Sequence, residues 1–182
     1  MTERRSRVVN VVATANLGQE IDLDRVGLVV GGRYDPESYH CAYLKAPPIR
    51  GRVIIFASGK MIGVGTKTLA EARDDLGFAA RILNREGISR SSTLTVTIQN
   101  IVTTFDLDEV LDLVGLNAEL EESVYDPEVF PGLAWKPGDF PAHLLIFGSG
   151  KVVASVKTMK DAARVTKYLE SRVFHHHSSR SA

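Results

Sequence analysis

Two stretches decide the architecture: VIIFASGKMIGVGTK, Val53–Lys67, and LLIFGSGKVVASVK, Leu144–Lys157. Each runs an apolar strand into Phe, a small residue and Ser-Gly-Lys, then into a second apolar strand. Phe147 follows Phe56 by 91 positions, and the same offset relates Gly59 to Gly150, Lys60 to Lys151 and Tyr34 to Tyr125. RYDPESY from Arg33 thereby answers VYDPEVF from Val124, while NVVATAN from Asn10 answers NIVTTFD from Asn100 at an offset of 90. Four blocks in one order at nearly one spacing indicate a duplicated unit of about 90 residues, well beyond the period of solenoid repeats. The expected organisation is a first repeat over 1–90, a second over 91–174, and a tail over 175–182.

Both halves read alike. Val-rich residues 7–15 predict a strand, and LDRVGLVVGG predicts a short helix stopped by glycines. CAYLKA and RVIIFAS are rich in strand formers and are separated by the turn-like PPIRG. A further strand follows each Ser-Gly turn. Leu69, Ala72, Leu76, Ala79, Ala80 and Leu83 then recur at helical spacing behind Thr68, with Glu71 completing a capping-box pattern. In the second half Met159, Ala162, Ala163, Val165, Tyr168 and Leu169 repeat that face. The class is α+β: sheet with long helices packed on one side. An antiparallel sheet normally shows polar residues on an open face. VIIF and HLLIF are apolar at nearly every position, so something apolar or flat must cover the second face.

Bulk properties narrow the function. The 182 residues hold 22 Lys/Arg and 22 Asp/Glu, which argues against coating nucleic acid by charge alone. Residues 1–90 carry 14 Lys/Arg against 10 Asp/Glu, and residues 91–182 carry 8 against 12, so the halves differ in sign. No apolar run reaches the length of a membrane span, and the N-terminus lacks the pattern of a signal peptide. The lone Cys41 excludes an internal disulfide or a cysteine-based zinc cluster and fits a reducing compartment. FGSGK is no phosphate-binding loop, because Met61 and Val152 follow the lysines where a Ser or Thr is needed, and strands rather than helices come next. No nucleophile–base pair is evident, and neither catalysis nor a cofactor is expected.

The ordered motifs resemble the TATA-binding protein family, its archaeal members above all. The residues that carry the likeness are NVVAT and NIVTT, YDPE twice, FPGLAWK, and the two IF-x-SGK blocks, over roughly residues 7–174. The resemblance implies a pseudo-two-fold saddle, a curved ten-stranded antiparallel sheet with four helices on its convex face. It implies that the concave face binds the minor groove of A·T-rich promoter DNA. That groove offers mostly degenerate acceptors, against which an apolar sheet can lie. Members of this family are themselves the standing example of proteins that pry base steps apart with apolar wedges and bend the duplex. The implied partners are double-stranded promoter DNA, transcription factor B and RNA polymerase. The implied location is the cytoplasm, in association with the nucleoid, in an archaeon, or the nucleus in a eukaryote. Self-pairing through the sheet is a further possibility off DNA.

The resemblance also assigns residues. Phe56 and Phe147 match the strand wedges, and Phe130 matches the loop-side partner of Phe147. The fourth wedge position falls on Tyr39, whose hydroxyl must find a partner or stay at an edge. Asn10 and Asn100 match the paired groove asparagines, with Val12 and Val102 on the same strand faces. After each SGK the family's hydrogen-bonding Thr is replaced by Val64 in one half and by Ser155 in the other. The second run is one residue shorter, which shifts the alternation unless a bulge absorbs it. Ile62 and Val153 complete the apolar floor, and Lys45, Lys136, Lys60 and Lys151 are placed to meet phosphates. Lys67 and Lys157 flank the sheet, Arg50 and Arg52 lie in the PPIRGR turn, and Arg4, Arg5 and Arg7 sit at the N-terminus. Asp126, Glu128 and Val129 fall on the loop that receives transcription factor B, although YDPE is also a good turn in its own right. His175, His176 and His177 have a metal-tract composition but precede a polar end, and are read as a disordered tail or cloning remnant with no metal. Two alternatives stay open. One is a diverged paralogue acting through protein contacts with weak DNA binding, and the other is a nucleotide enzyme on a duplicated α+β unit.

Overall fold

The computed structural model describes residues 6–91 and 93–174. Arg4, Arg5 and His175–His177 lie outside the described residues. Ten strands and four helices follow in the order β1 (Arg7–Asn16), α1 (Leu23–Leu28), β2 (Gly32–Arg33), β3 (Cys41–Leu44), β4 (Arg52–Phe56), β5 (Lys60–Thr66), α2 (Leu69–Arg85), β6 (Thr97–Asp106), α3 (Leu113–Glu119), β7 (Ser123–Val124), β8 (Gly132–Trp135), β9 (Ala142–Phe147), β10 (Lys151–Val156) and α4 (Met159–Val173). The strands belong to one antiparallel sheet, ordered β2-β3-β4-β5-β1-β6-β10-β9-β8-β7. The expected α+β class, strand number and helix number are all found. No helix among the described residues is long and apolar enough to cross a membrane.

The chain divides into two compact units, Asn10–Gln99 and a second made of Met1–Val9 with Asn100–Ala182. In the first unit, Val11, Ala13, Ala15, Ala42, Leu44, Val53, Ile55 and Met61 are buried. They lie at alternate positions along their strands, so they share one face of the sheet. Ala72, Leu76, Ala79 and Leu83 of α2 are buried against that face, each Leu contributing about 1.5–3 kcal/mol. Gly63 leaves room for the close approach, since a Cβ there would stand 3.3 Å from the Leu76 side chain. The second unit repeats the arrangement with Ile101, Phe105, Leu133, Trp135, Leu144, Ile146, Val152 and Ala154 beneath Ala162, Val165 and Leu169 of α4.

Local signals behave as the sequence indicates. Thr68 caps α2 by accepting from the Glu71 N–H at 3.1 Å, and Glu71 reaches back to the Lys67 N–H at 3.0 Å. Thr158 and the Asp161 N–H do the same for α4. The repeated SGK has a structural cause. Gly59 and Gly150 have φ of +83° and +87°, and a Cβ would come within 2.2 Å and 2.3 Å of the carbonyl oxygens of Gln19 and Glu109. Only glycine tolerates both conditions. The hairpin so formed pins the end of the first strand of each repeat, through Leu17 N–H to the Gly59 carbonyl and Leu107 N–H to the Gly150 carbonyl, both 2.9 Å.

The extra residue of the first copy is absorbed by a bulge. Val11 pairs with Thr66, but Ala13 pairs with Gly63, so Val64 and Gly65 together oppose Val12. Gly65 takes φ of +89°, a left-handed conformation common in bulges. The shorter β10 pairs with β6 in unbroken register from Lys151–Asp106 to Val156–Ile101.

Helix anchoring differs between the units. In the first, the buried Asp75 of α2 accepts from the N–H groups of Arg50 and Gly51, at 3.0 and 2.7 Å, and so ties down the β3–β4 turn. Its counterpart 91 residues on is Thr166, whose buried hydroxyl finds no partner among the described residues. There, Tyr168 of α4 stacks on Phe140 at 4.4 Å and bonds to Asp139, which also pairs with Arg172. Burial, and then the bond to Asp139, pushes the Tyr168 hydroxyl up to about 12.

Replacing Asp75 strands the buried Gly51 N–H and the part-buried Arg50 N–H that now meet its carboxyl oxygens. Asp75→Ala is therefore expected to destabilise the protein by about 3 kcal/mol. Urea unfolding followed by circular dichroism measures this, and Asp74→Ala on the exposed side of the helix is the matched control.

Candidate nucleic-acid interface

Away from the helices, the same alternation builds a second face in each unit. In the first it carries Asn10, Val12 and Thr14 from β1, Lys60, Ile62 and Val64 from β5, Arg52, Ile54 and Phe56 from β4, and Cys41 and Tyr43 from β3. Register places Cys41 opposite Phe56, Tyr43 opposite Ile54, and Arg52 opposite Val64. In the second unit the corresponding face carries Asn100, Val102 and Thr104 from β6, Lys151, Val153 and Ser155 from β10, His143, Leu145 and Phe147 from β9, and Gly132 and Ala134 from β8. Ser155 lies between Val102 and His143. Phe56 and Phe147 thus point away from the helices. Both are half-buried, as are Val12, Ile62, Val64, Val102 and Val153. Lys45 and Lys136 follow the ends of β3 and β8, exposed and in phase with this face.

Asn10 is oriented by the bulge. The Gly65 N–H donates to Asn10 Oδ1 at 2.8 Å, which leaves the two amide protons of Asn10 as its donors to a ligand. The neighbouring strand offers a contact of its own, Gln99 Nε2 to Thr14 Oγ1 at 2.8 Å.

Phe130 and Phe147 form an edge-on pair with ring centroids 5.8 Å apart. Gly132 makes the pair possible. It lies opposite Phe147 in the ladder, and a Cβ on it would stand 2.8 Å from Phe130 and 3.0 Å from Phe147. Phe130 remains 40% exposed. Tyr39 occupies the matching loop position at 55% exposure, but its ring meets Tyr43 edge-on at 5.7 Å. Cys41 stands where the second unit has Gly132, and Tyr43 where it has Ala134.

The YDPE segments are turns in both units. Asp35 accepts from the Glu37 N–H and the Ser38 hydroxyl, at 3.1 and 2.6 Å. The Ser38 hydroxyl foremost, then the Glu37 N–H, holds the Asp35 carboxyl below its ordinary value. Asp126 accepts from the Glu128 N–H at 3.1 Å, and the Val129 and Phe130 N–H groups donate to its carbonyl. Asp126 is thus occupied in shaping the loop. Glu128 and Val129 project from it, Val129 with 82% exposure.

One expectation is corrected. Arg52 is no turn residue. It opens β4, lies on the face with Phe56, and holds its guanidinium 5.5 Å from the Tyr43 ring centre. Arg50 does stay in the turn, near Glu71 and Asp74 of α2. Tyr43 and His143 carry no role in the sequence reading, and Gly132 figures there only within FPGLAWK, although counting by twos from Phe56 and Phe147 and across the ladder reaches all three residues.

The family model for transcription factor TFIID (or TATA-binding protein, TBP) matches residues 5–85 and 95–173. TATA-box-binding protein F of Halobacterium salinarum is 33% identical over 170 residues, 91% of this chain and 91% of that protein. The TATA-box-binding protein of Pyrobaculum calidifontis is 33% identical over 169 residues, 92% of this chain and 85% of that protein. The solved structure of Methanococcus jannaschii TBP superposes with a TM-score of 0.81 at 32% identity, covering 94% of this chain and 99% of that one.

The Gly132 cradle makes a structural prediction. Gly132→Ala should push the Phe130 ring off Phe147 while the β8–β9 ladder persists. In NMR spectra the ring-to-ring cross-peaks between the two phenylalanines should vanish and the cross-strand backbone contacts remain.

Proposed function

The chain belongs to the TATA-binding protein family, and we propose that it serves as a general transcription initiation factor that grips the minor groove of A·T-rich promoter DNA and bends it. The observation that carries this reading is the paired Phe130 and Phe147 on an apolar sheet face turned away from the helices. Strand residues Val12, Ile62, Val64, Val102 and Val153 form the floor that lies on the groove. Two aromatic edges enter a base step from that floor and unstack it. Pyrimidine–purine steps deform most easily, so part of the sequence preference is deformation energy rather than base contact.

The asparagines supply the polar part. Asn10 and Asn100 donate to N3 and O2 acceptors, the only groups an A·T pair presents on this side. Ser155 adds a donor in the second unit, whereas Val64 offers only apolar contact in the first. Lys45, Lys60, Lys136 and Lys151 meet backbone phosphates and give the complex its salt dependence. Glu128 and Val129 present an acidic and apolar tip to transcription factor B, which in turn brings RNA polymerase. The work is binding and deformation, with no bond made or broken.

The wedge is tested by end-to-end fluorescence transfer on labelled TATA and scrambled duplexes. Phe147→Ala should weaken the bent complex by at least about tenfold, roughly 1.4 kcal/mol. Phe174→Ala, at the end of α4, should leave it unchanged. Equal effects from two folded variants refute the wedge assignment, and an absence of duplex binding by the native chain favours a paralogue that acts through proteins. Separately, Glu128→Arg should abolish the supershift with transcription factor B in a gel assay while DNA binding persists.

A further inference from the structure

The two units carry unlike equipment at corresponding places. In the second, Gly132 has no side chain, Ala134 has a small one, and the Phe130 ring is free to settle on Phe147. In the first, Cys41 fills the space opposite Phe56, and Tyr43 offers a ring beside it. Tyr39 is drawn to Tyr43 instead, its ring centre 5.7 Å away. No second ring supports Phe56 among the described contacts. A tyrosine hydroxyl driven into a base stack also loses its water without gaining a partner.

What the first unit has instead is charge. Arg33, Tyr34, Tyr39, Tyr43, Lys45 and Arg52 line one groove of about 840 Å³. Arg52 lies over the Tyr43 ring at 5.5 Å and lines the groove, which holds there a planar guanidinium, a group suited to a phosphate. Asp35 also borders the groove, but its carboxylate is engaged by the Ser38 hydroxyl and the Glu37 N–H. The positions matching Arg33, Lys45 and Arg52 in the second unit are Val124, Lys136 and His143. Three fixed cations therefore face one fixed cation and a histidine.

We propose that the two units hold the duplex by different means. The second opens one base step with Phe130 and Phe147, while the first opens none and clamps backbone phosphates in the groove of Arg33, Lys45 and Arg52. The inference rests on the DNA-bending function argued above. Its consequence is a complex with a single kink and a built-in direction, because the charged unit and the wedging unit cannot be interchanged.

The test combines end-to-end fluorescence transfer with the salt dependence of affinity on one TATA duplex. Phe130→Ala should abolish most of the bend. Tyr39→Ala should leave the bend as it is. Arg52→Ala should keep the bend but reduce the slope of log affinity against log salt by about 0.9, one released counterion, and Arg52→Lys should restore the slope. Tyr39 and Arg52 are exposed, and circular dichroism of each variant verifies the fold. Loss of bending by Tyr39→Ala equal to that by Phe130→Ala, or an unchanged slope in Arg52→Ala, overturns the division of labour while DNA bending itself stands. If neither Phe130→Ala nor Phe147→Ala alters the complex, or the native chain binds no duplex, the bending function falls and this inference with it.

Discussion

A sheet greasy on both sides is the constraint on which everything else turns. Strand alternation sends one set of side chains to the helices and the next set to the opposite side. Here both sets are apolar. Val53 and Ile55 are buried beneath α2, while Ile54 and Phe56, their neighbours in the chain, face the other way. Each unit brings its long helix to one face only. Water against Phe147, Leu145 and Val153 is unfavourable in proportion to apolar area, and a groove floor with few polar groups is a favourable replacement. The fold and the proposed function thus rest on the same imbalance.

The duplicated motifs divide into two kinds. Some recur because the backbone requires them. The glycines of the two SGK turns approach carbonyl oxygens too closely for any side chain, and the aspartates of the two YDPE turns accept from the backbone that follows them. Other positions have been released from symmetry. Asp75 anchors a turn where Thr166 anchors nothing, Gly65 bulges where β10 runs true, and Tyr43 with Arg52 replaces Ala134 with His143. The frame is held constant by sterics while the face turned away from the helices diverges.

Much of this was legible from the residues. The repeat and the helix cap at Thr68 follow from spacing, a local property of the chain, while the placing of Phe56 and Phe147 on the face away from the helices was implied by the family resemblance. The need for a bulge followed as well, since one copy is a residue longer. What local reading missed depends on register across strands. Arg52 looked like part of a turn because Pro and Gly precede it, yet the ladder with β5 begins at that residue. Gly132 read only as part of FPGLAWK until its place opposite Phe147 showed why a side chain is excluded.

By itself, then, the sequence determined the duplicated α+β plan and the double-sided apolar strands, because periodicity and repetition are written along the chain. Only the tertiary structure decided that Phe130 rests on Phe147 over Gly132, that Tyr39 turns to Tyr43 instead, and that Asp75 is a buried anchor. Those outcomes depend on distances between residues far apart in sequence, set by strand register and helix packing, and no local pattern encodes them.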